Sequence, residues 1–546
     1  MSTHTQMTQP KSGSTGRRGL IVSWGVTLGL ICLHIWLRWP ALQNPHFHNE
    51  DTAGITYSAE LILRGGLPLR DTVEMKAPGS FFLLAGWWSL VGRSVMSAQL
   101  LMVLWSGLAA LGVGMGAWWL TRDRLAMVLG SLLYIMLSPY TDSIDINYGA
   151  WMITPYIWAV ASLFKALERP SRMRWWLIAG LCMTLGALCK RQGAALVPLF
   201  VLASISLRAE PGLWRGARPL LGVALGSLLG FVPIILWYHS QGGLSDWVNS
   251  YVLSQSGWAY VKGGAGAGLS QAELWLRVED GVMGLWEYSR APLCLALCAT
   301  LALRLRGDGS GEGAQRGPTS RLGLLWTLTF LSYVGASLGW RYFKGYYLQL
   351  LPGLIWVSCS ALSVRASLFK GGARVTVSAL VGLCLALPLA HDLEKSWIAR
   401  ERRERGLYLP TYEIQRVSAW MRRQARSGDS LWVWGRWGWP AYHHTGLMSP
   451  TRYFKSLGVL TTQLTNTWNP ARRSAPVRFN PHSAWREAIK ELRASPPRFI
   501  ILAQNEDWSG FQALKELLRE RYQSVPPEAL KLHRPKRSVF KVYLLR

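Results

Sequence analysis

Length without charge is what most constrains this sequence. Leu20–Trp39, Ala98–Leu120 and Pro219–Tyr238 are runs of ~20 residues that hold almost no charged side chain, long enough as helices to cross a hydrocarbon core of ~30 Å. Runs of this kind recur along the chain, and a buried soluble helix rarely needs that length. Composition agrees: half of the 546 residues are apolar and only 16% are charged, where a soluble domain carries about a quarter. The pattern specifies a polytopic α-helical membrane protein. Eleven spans are expected, at roughly 20–39, 98–120, 124–139, 149–166, 174–189, 193–207, 219–238, 285–303, 322–340, 347–364 and 374–391.

The net charge of +29 does not point to nucleic acid. Much of the excess lies in short clusters beside the apolar runs, where Lys and Arg flank the cytoplasmic ends of spans. A nucleic-acid face would interleave aromatics and cations on a soluble fold. With the N-terminus inside, one set of loops collects Arg122 and Arg124, then Lys165, Arg169, Arg172 and Arg174, then Arg208, Arg215 and Arg218, then Arg304, Arg306, Arg316 and Arg321, and finally Arg365, Lys370 and Arg374. The opposite loops are poorer in cations, and 138–148 has two aspartates and no Lys or Arg. The first run follows Lys11, Arg17 and Arg18 as a signal peptide would, but it is long and lacks a clear cleavage site, so it reads as a retained anchor after a basic tail, 1–19. An odd number of spans then puts the C-terminal end outside. All seven cysteines lie in or beside apolar runs without metal-ligand spacing and read as small buried hydrophobes.

Three outer segments are long enough to carry chemistry: a first loop, 40–97, a Gly-rich loop, 239–284, containing KGGAGAG at Lys262–Gly268, and residues 392–546. The inner insert 307–320 reads as a flexible linker. The C-terminal segment has helical spacing over 412–427, 483–494 and 510–522, with strand-like runs at Leu431–Trp434, Phe499–Leu502 and Val539–Leu544. It therefore forms a small α/β extracytoplasmic domain. His443 and His444 are adjacent and would diverge on a regular element, so a core or surface role outweighs metal binding.

The first outer loop gathers Glu50, Asp51, Glu60, Asp71 and Glu74 in a chain with 59 Lys and Arg but only 30 Asp and Glu. The plainer reading is a solvated acidic face. The functional one is that Asp51 or Glu50, emerging next to the membrane, acts as general base on an acceptor hydroxyl or amine. Arg70, Asp71 and Lys76 follow the Gly65–Gly66 turn and could bring cations back to it. The segment Phe81–Gly92 is too short to span and reads as an interfacial helix, with Trp87 and Trp88 at headgroup depth. Lys190, Arg191, Arg341 and Lys344 sit at outer span ends, where cations are disfavoured. Both interfacial anchoring and phosphate binding account for them. Tyr342, Tyr346 and Tyr347 could line a sugar or isoprenoid site or belong to an aromatic belt.

The order of an acidic pair, a tyrosine, R-G-G-x-P-x-R-D and K-x-P-G resembles the first periplasmic loop of GT-C-fold glycosyltransferases, the bacterial relatives of protein O-mannosyltransferases and aminoarabinose transferases. CKRQGAALVP (Cys189–Pro198), RYFKGYYLQLLP (Arg341–Pro352) and Asp429–Phe454 are similar to later segments of those enzymes. The resemblance covers nearly the whole chain and assigns 20–391 to a GT-C-like catalytic module.

The resemblance implies inverting transfer of a sugar from a polyprenyl-phosphate donor to a lipid, glycan or protein acceptor at the outer face of a bacterial inner membrane. No cofactor is implied, although a divalent metal could bridge Asp51 and the aspartates of 142–145. Asp51 matches the catalytic aspartate by its distance to Arg64-Gly65-Gly66; Thr52 replaces the family's following Glu and Glu50 precedes instead, so both remain candidates. The substrate-binding candidates are Asp71, Lys76, Lys190, Arg191, Gln192, Arg341, Tyr342, Lys344 and Tyr346. The competing class, a transporter or flippase of a lipid-linked substrate, would show internal repeats and ionisable residues mid-span; no repeat is visible, and apart from His34 few such residues lie in the spans.

Overall fold

The computed structural model describes residues 15–43, 50–206 except 75 and 145, 213–253, 271–305, 318–360 except 339 and 341, a few positions between 386 and 401, 409–455, 460–462, 478–479, 484–504, 508–532 except 531, and 538–546. The apolar runs fold as helices: α1 (Thr15–Gln43), α4 (Val95–Thr121), α5 (Arg124–Leu137), α6 (Tyr148–Glu168), α7 (Met173–Cys189), α8 (Val197–Ser206) and α9 (Leu213–Ser240). After a four-residue helix, α10 (Leu244–Trp247), come α11 (Gln271–Leu305), α12 (Pro318–Ser337) and α13 (Leu351–Ser360). Among the described residues five helices are long and apolar enough to cross a membrane: Gly25–Gln43, Val95–Thr121, Arg124–Thr141, Tyr148–Glu168 and Ala217–Ser240. Leu28, Leu228, Leu229 and Leu236 on them are more than half exposed, as lipid-facing side chains are. The chain is a multi-pass membrane protein. The span expected at 374–391 and the KGGAGAG segment lie mostly or wholly outside the described residues.

Small residues let the bundle close. A Cβ on Gly180 of α7 would collide with the Val223 carbonyl of α9, and one on Gly226 of α9 with the Leu177 carbonyl of α7, the small-residue contact by which helices approach closely in lipid. On its other side α7 packs along α6.

The first outer loop is two helices, α2 (Glu50–Leu63) and α3 (Gly79–Val91), joined by an irregular stretch. The short helix expected over 81–92 is present, but Trp88 does not lie among headgroups. It is buried, its indole donates to the Ser94 carbonyl at 3.2 Å, and its ring stacks on His443 at 5.4 Å. The C-terminal domain covers it.

That domain is built on a four-stranded sheet of order β1 (Leu431–Trp434), β4 (Phe499–Ala503), β6 (Phe540–Leu545), β5 (Tyr522–Ser524), with β1 and β4 parallel and the other pairs antiparallel. The two-residue strands β2 (Thr461–Thr462) and β3 (Arg478–Phe479) pair separately. Its helices are α14 (Leu409–Gln424), α15 (Pro440–Thr445), α16 (Ala484–Ala494) and α17 (Gln512–Arg521). Alternation splits each strand between two buried faces. Trp432, Trp434, Ile500 and Leu502 meet α16 and α17. Leu431, Val433, Phe499 and Ile501 meet α14 and, from outside the domain, Ala53 and Tyr57 of α2. The C-terminal domain therefore completes one of its cores with the first outer loop.

Candidate functional site

Helix α2 presents two faces. Ala53 and Tyr57, four apart, enter the core of the C-terminal domain, where the Tyr57 ring lies flat on Phe454 at 4.1 Å and its hydroxyl accepts from the Ser449 amide at 3.1 Å. Position 50 shares that side by helical spacing; its side chain is outside the described residues. Asp51 precedes Gly54 by three residues and position 50 precedes it by four, so helical spacing turns both toward it. A Cβ at Gly54 would lie 3.4 Å from Glu74 Oε2 and 3.7 Å from the Tyr148 hydroxyl, so the helix backbone closes directly on those two groups. Between the faces, the Thr52 hydroxyl donates to the Ile146 carbonyl at 2.7 Å and ties the start of α2 to the turn before α6. Asp51 is half-buried, and its carboxylate and that of Glu74 both act electrostatically on the Tyr148 phenol.

Three cations reach the same place. Lys76 lies over the Tyr148 ring at 5.1 Å, and its amide donates to Glu74 Oε1 at 3.1 Å. Lys190, the residue that ends α7, puts its ammonium 3.8 Å from the centre of the Tyr346 ring. Its side chain is partly open to the surface, but protein surrounds it. Burial pushes its pKa down to about 7, aided by Lys76 and opposed by Asp51. Arg191 opens the 3₁₀ turn Arg191–Leu196; its guanidinium donates to the Ser250 carbonyl at 2.9 Å and lies over the Tyr251 ring at 5.3 Å. The Glu74 charge reaches Arg191 as well. Gln192 is buried, its carbonyl accepting from Gln349 at 3.3 Å.

The remaining candidates are spread around this group. Arg341 lies outside the described residues. Tyr342 is buried with a φ of 47° and belongs to a tyrosine cluster that includes Tyr333 and Tyr347. Lys344 pairs with Asp142 at 2.6 Å. Asn147 holds the Asp142 carbonyl at 2.5 Å and caps α6 at the Ala150 amide, so the turn that carries Asp142 is fixed against Lys344. Asp145 is outside the described residues. Asp71 faces elsewhere: it accepts from the Leu67 amide at 2.7 Å and from Arg70 at 2.8 Å. Partial burial would raise its carboxyl, but these hydrogen bonds outweigh it and hold the pKa below the usual aspartate value. Arg70 also donates to the Gln241 carbonyl at 3.3 Å, and Tyr238 donates to the Pro68 carbonyl at 3.0 Å. Asp71 therefore braces the first loop where it meets the end of α9.

The structure thus brings Asp51, Lys76, Lys190, Arg191 and Tyr346 to one region and leaves Asp71 outside it. It adds Glu74 and Tyr148, which sequence analysis noted only as part of an acidic loop and of a turn, and Lys455, whose ammonium forms a buried ion pair with Glu74. Nothing in sequence order links residue 455 to residue 74. Among the described residues no three His, Cys, Asp or Glu side chains converge as metal ligands. His443 is buried at the domain contact; burial lowers its pKa well below the usual imidazole value, with His444 and Arg93 adding to the effect.

Comparison with known proteins bears on the fold that carries this site. A family profile described as dolichyl-phosphate-mannose-protein mannosyltransferase matches residues 75–237, from the start of the Lys76 turn to the end of α9. No curated protein sequence matches the chain. Among solved structures, ArnT from Cupriavidus metallidurans bound to undecaprenyl phosphate superimposes with a TM-score of 0.55 at 14% identity, covering 95% of this chain and 98% of that one. The archaeal oligosaccharyltransferase AglB from Archaeoglobus fulgidus, in complex with an inhibitory peptide and a dolichol-phosphate, superimposes at 0.52 and 12% identity over 92% of this chain and 72% of its own. The chain has the GT-C fold of these structures, and residues 75–237 are similar to the mannosyltransferase family.

Proposed function

We infer that the protein transfers a sugar from a polyprenyl-phosphate donor to a lipid, glycan or protein acceptor at the outer face of a bacterial cytoplasmic membrane. The observation that carries this reading is the meeting of one half-buried carboxylate, Asp51, with the cations Lys76, Lys190 and Arg191 beside the first outer loop. Support for the donor comes from the fold, shared with proteins solved with undecaprenyl phosphate and dolichol-phosphate. The topology that goes with it has eleven spans, the N-terminus inside and the C-terminal domain outside.

Asp51 is the general base of this reading, because its charge acts on both Lys190 and the Tyr148 phenol. The acceptor oxygen or nitrogen attacks the anomeric carbon from the face opposite the phosphate. The carbon–oxygen bond to the lipid phosphate breaks, its electron pair stays on the phosphate oxygen, and the acceptor proton passes to Asp51. The products are an inverted glycoside and the lipid phosphate. Charge grows on the leaving phosphate, and Lys76, Lys190 and Arg191 stabilise it from fixed positions in surroundings that screen poorly. Whether a divalent metal takes part is read from activity in chelator.

The test is transfer by the purified protein in liposomes from defined polyprenyl-phosphate sugars, with and without chelator. Asp51→Asn should lower kcat by about 10²–10⁴ while donor affinity stays near wild type, and Glu50→Gln should retain most activity. Full activity in Asp51→Asn would refute the assignment.

A further inference from the structure

The geometry points to Lys455, in the C-terminal domain, as a positioning residue for donor-phosphate binding: by offsetting the charge of Glu74 it limits the competition of that carboxylate with the phosphate for Lys76, Lys190 and Arg191. This rests on the transferase reading above. Glu74 is fully enclosed and Lys455 is 7% exposed, and the two form a direct ion pair across 381 residues of sequence. The same carboxylate accepts from the Lys76 amide and abuts α2 at Gly54, one turn after Asp51. It also acts on Tyr148 and Arg191. A negative charge so placed would, without Lys455, compete more strongly with a bound phosphate for the site's cations. Lys455 cancels that charge from the side away from the membrane helices.

The strand of contacts around it fixes the ammonium in place. The Val73 amide donates to the Arg452 carbonyl at 2.9 Å, and Tyr57 stacks on Phe454. Arg64 donates to the Gly446 carbonyl at 2.7 Å. Segment 446–455 therefore grips both α2 and the turn that carries Glu74, and the Lys455 stem runs beside Phe454 and Trp439. The site is incomplete without this segment: its charge balance depends on a residue the membrane module does not contain.

The experiment measures binding of undecaprenyl phosphate to the full-length protein in detergent, alongside transfer by the wild type. Lys455→Met should weaken binding about tenfold or more at neutral pH, because the buried Glu74 charge loses its direct Lys455 ion pair. The double variant Lys455→Met with Glu74→Gln should bind within about threefold of wild type, since neither charge remains. That variant also serves where Lys455→Met alone does not fold. Wild-type affinity in Lys455→Met, or a double variant as weak as or weaker than the single one, overturns the inference. A wild type that binds the lipid but transfers no sugar from any polyprenyl-phosphate donor instead sinks the transferase reading and leaves this one standing.

Discussion

Lys190 shows how placement changes a residue's chemistry. A lysine on open surface stays charged through neutrality, but burial lowers this one to about 7. Below that value it is a cation facing the place where the donor phosphate is proposed to sit; above it the amine is neutral and attracts nothing. A bound phosphate raises the pKa, so binding takes up a proton and must weaken as pH rises. Donor affinity, read as KM for a polyprenyl-phosphate sugar whose diester keeps one charge, should fall between about pH 6 and about pH 9, while Lys190→Arg, which stays charged, should flatten the profile. An identical slope in both proteins would remove Lys190 from the phosphate site. The position of this residue was legible in sequence as a cation at a disfavoured span end. Its depressed pKa was not, because burial and the nearness of Lys76 come from separate elements.

Among the elements, α3 is the sensitive one. It begins where Gly79 meets the end of α7: a Cβ there would lie 2.6 Å from the Leu188 carbonyl oxygen, two residues before Lys190. Backbone cannot yield as a side-chain tip can. Gly79→Ala should therefore displace α3 from α7, destabilise the protein by about 1–3 kcal/mol and lower transfer. Gly86→Ala, on the same helix with nothing within 4 Å of the added carbon, should be neutral or stabilise by about 0.5–1 kcal/mol. Thermal unfolding in detergent and a transfer assay separate the two; equal behaviour would mean that α3 is not seated on α7. The helix itself follows from its apolar composition. Its burial under the C-terminal domain does not, because the Trp88–His443 contact joins segments 355 residues apart.

At the scale of the molecule, the first loop touches both the end of α9 and the C-terminal domain. The aromatic contact of Tyr57 with Phe454 and Tyr442 is the apolar part of this seam. Phe454→Ala should cost about 3–5 kcal/mol of local stability, make the C-terminal domain more open to protease, and reduce transfer without touching the base or the cations. Unchanged proteolysis with full activity would show that docking is held elsewhere.

The sequence by itself determined the membrane character, the helical and strand segments, and the loop that holds Asp51 and Lys76. These depend on local composition and period, which a linear reading captures. The family resemblance rested on short motifs of the same local kind. The tertiary structure decided which cations converge and that Asp71 braces a loop away from them. It also supplied Lys455 as the partner of Glu74. Those outcomes depend on how distant helices and the C-terminal sheet pack, and charge interactions inside a protein depend on distance and burial.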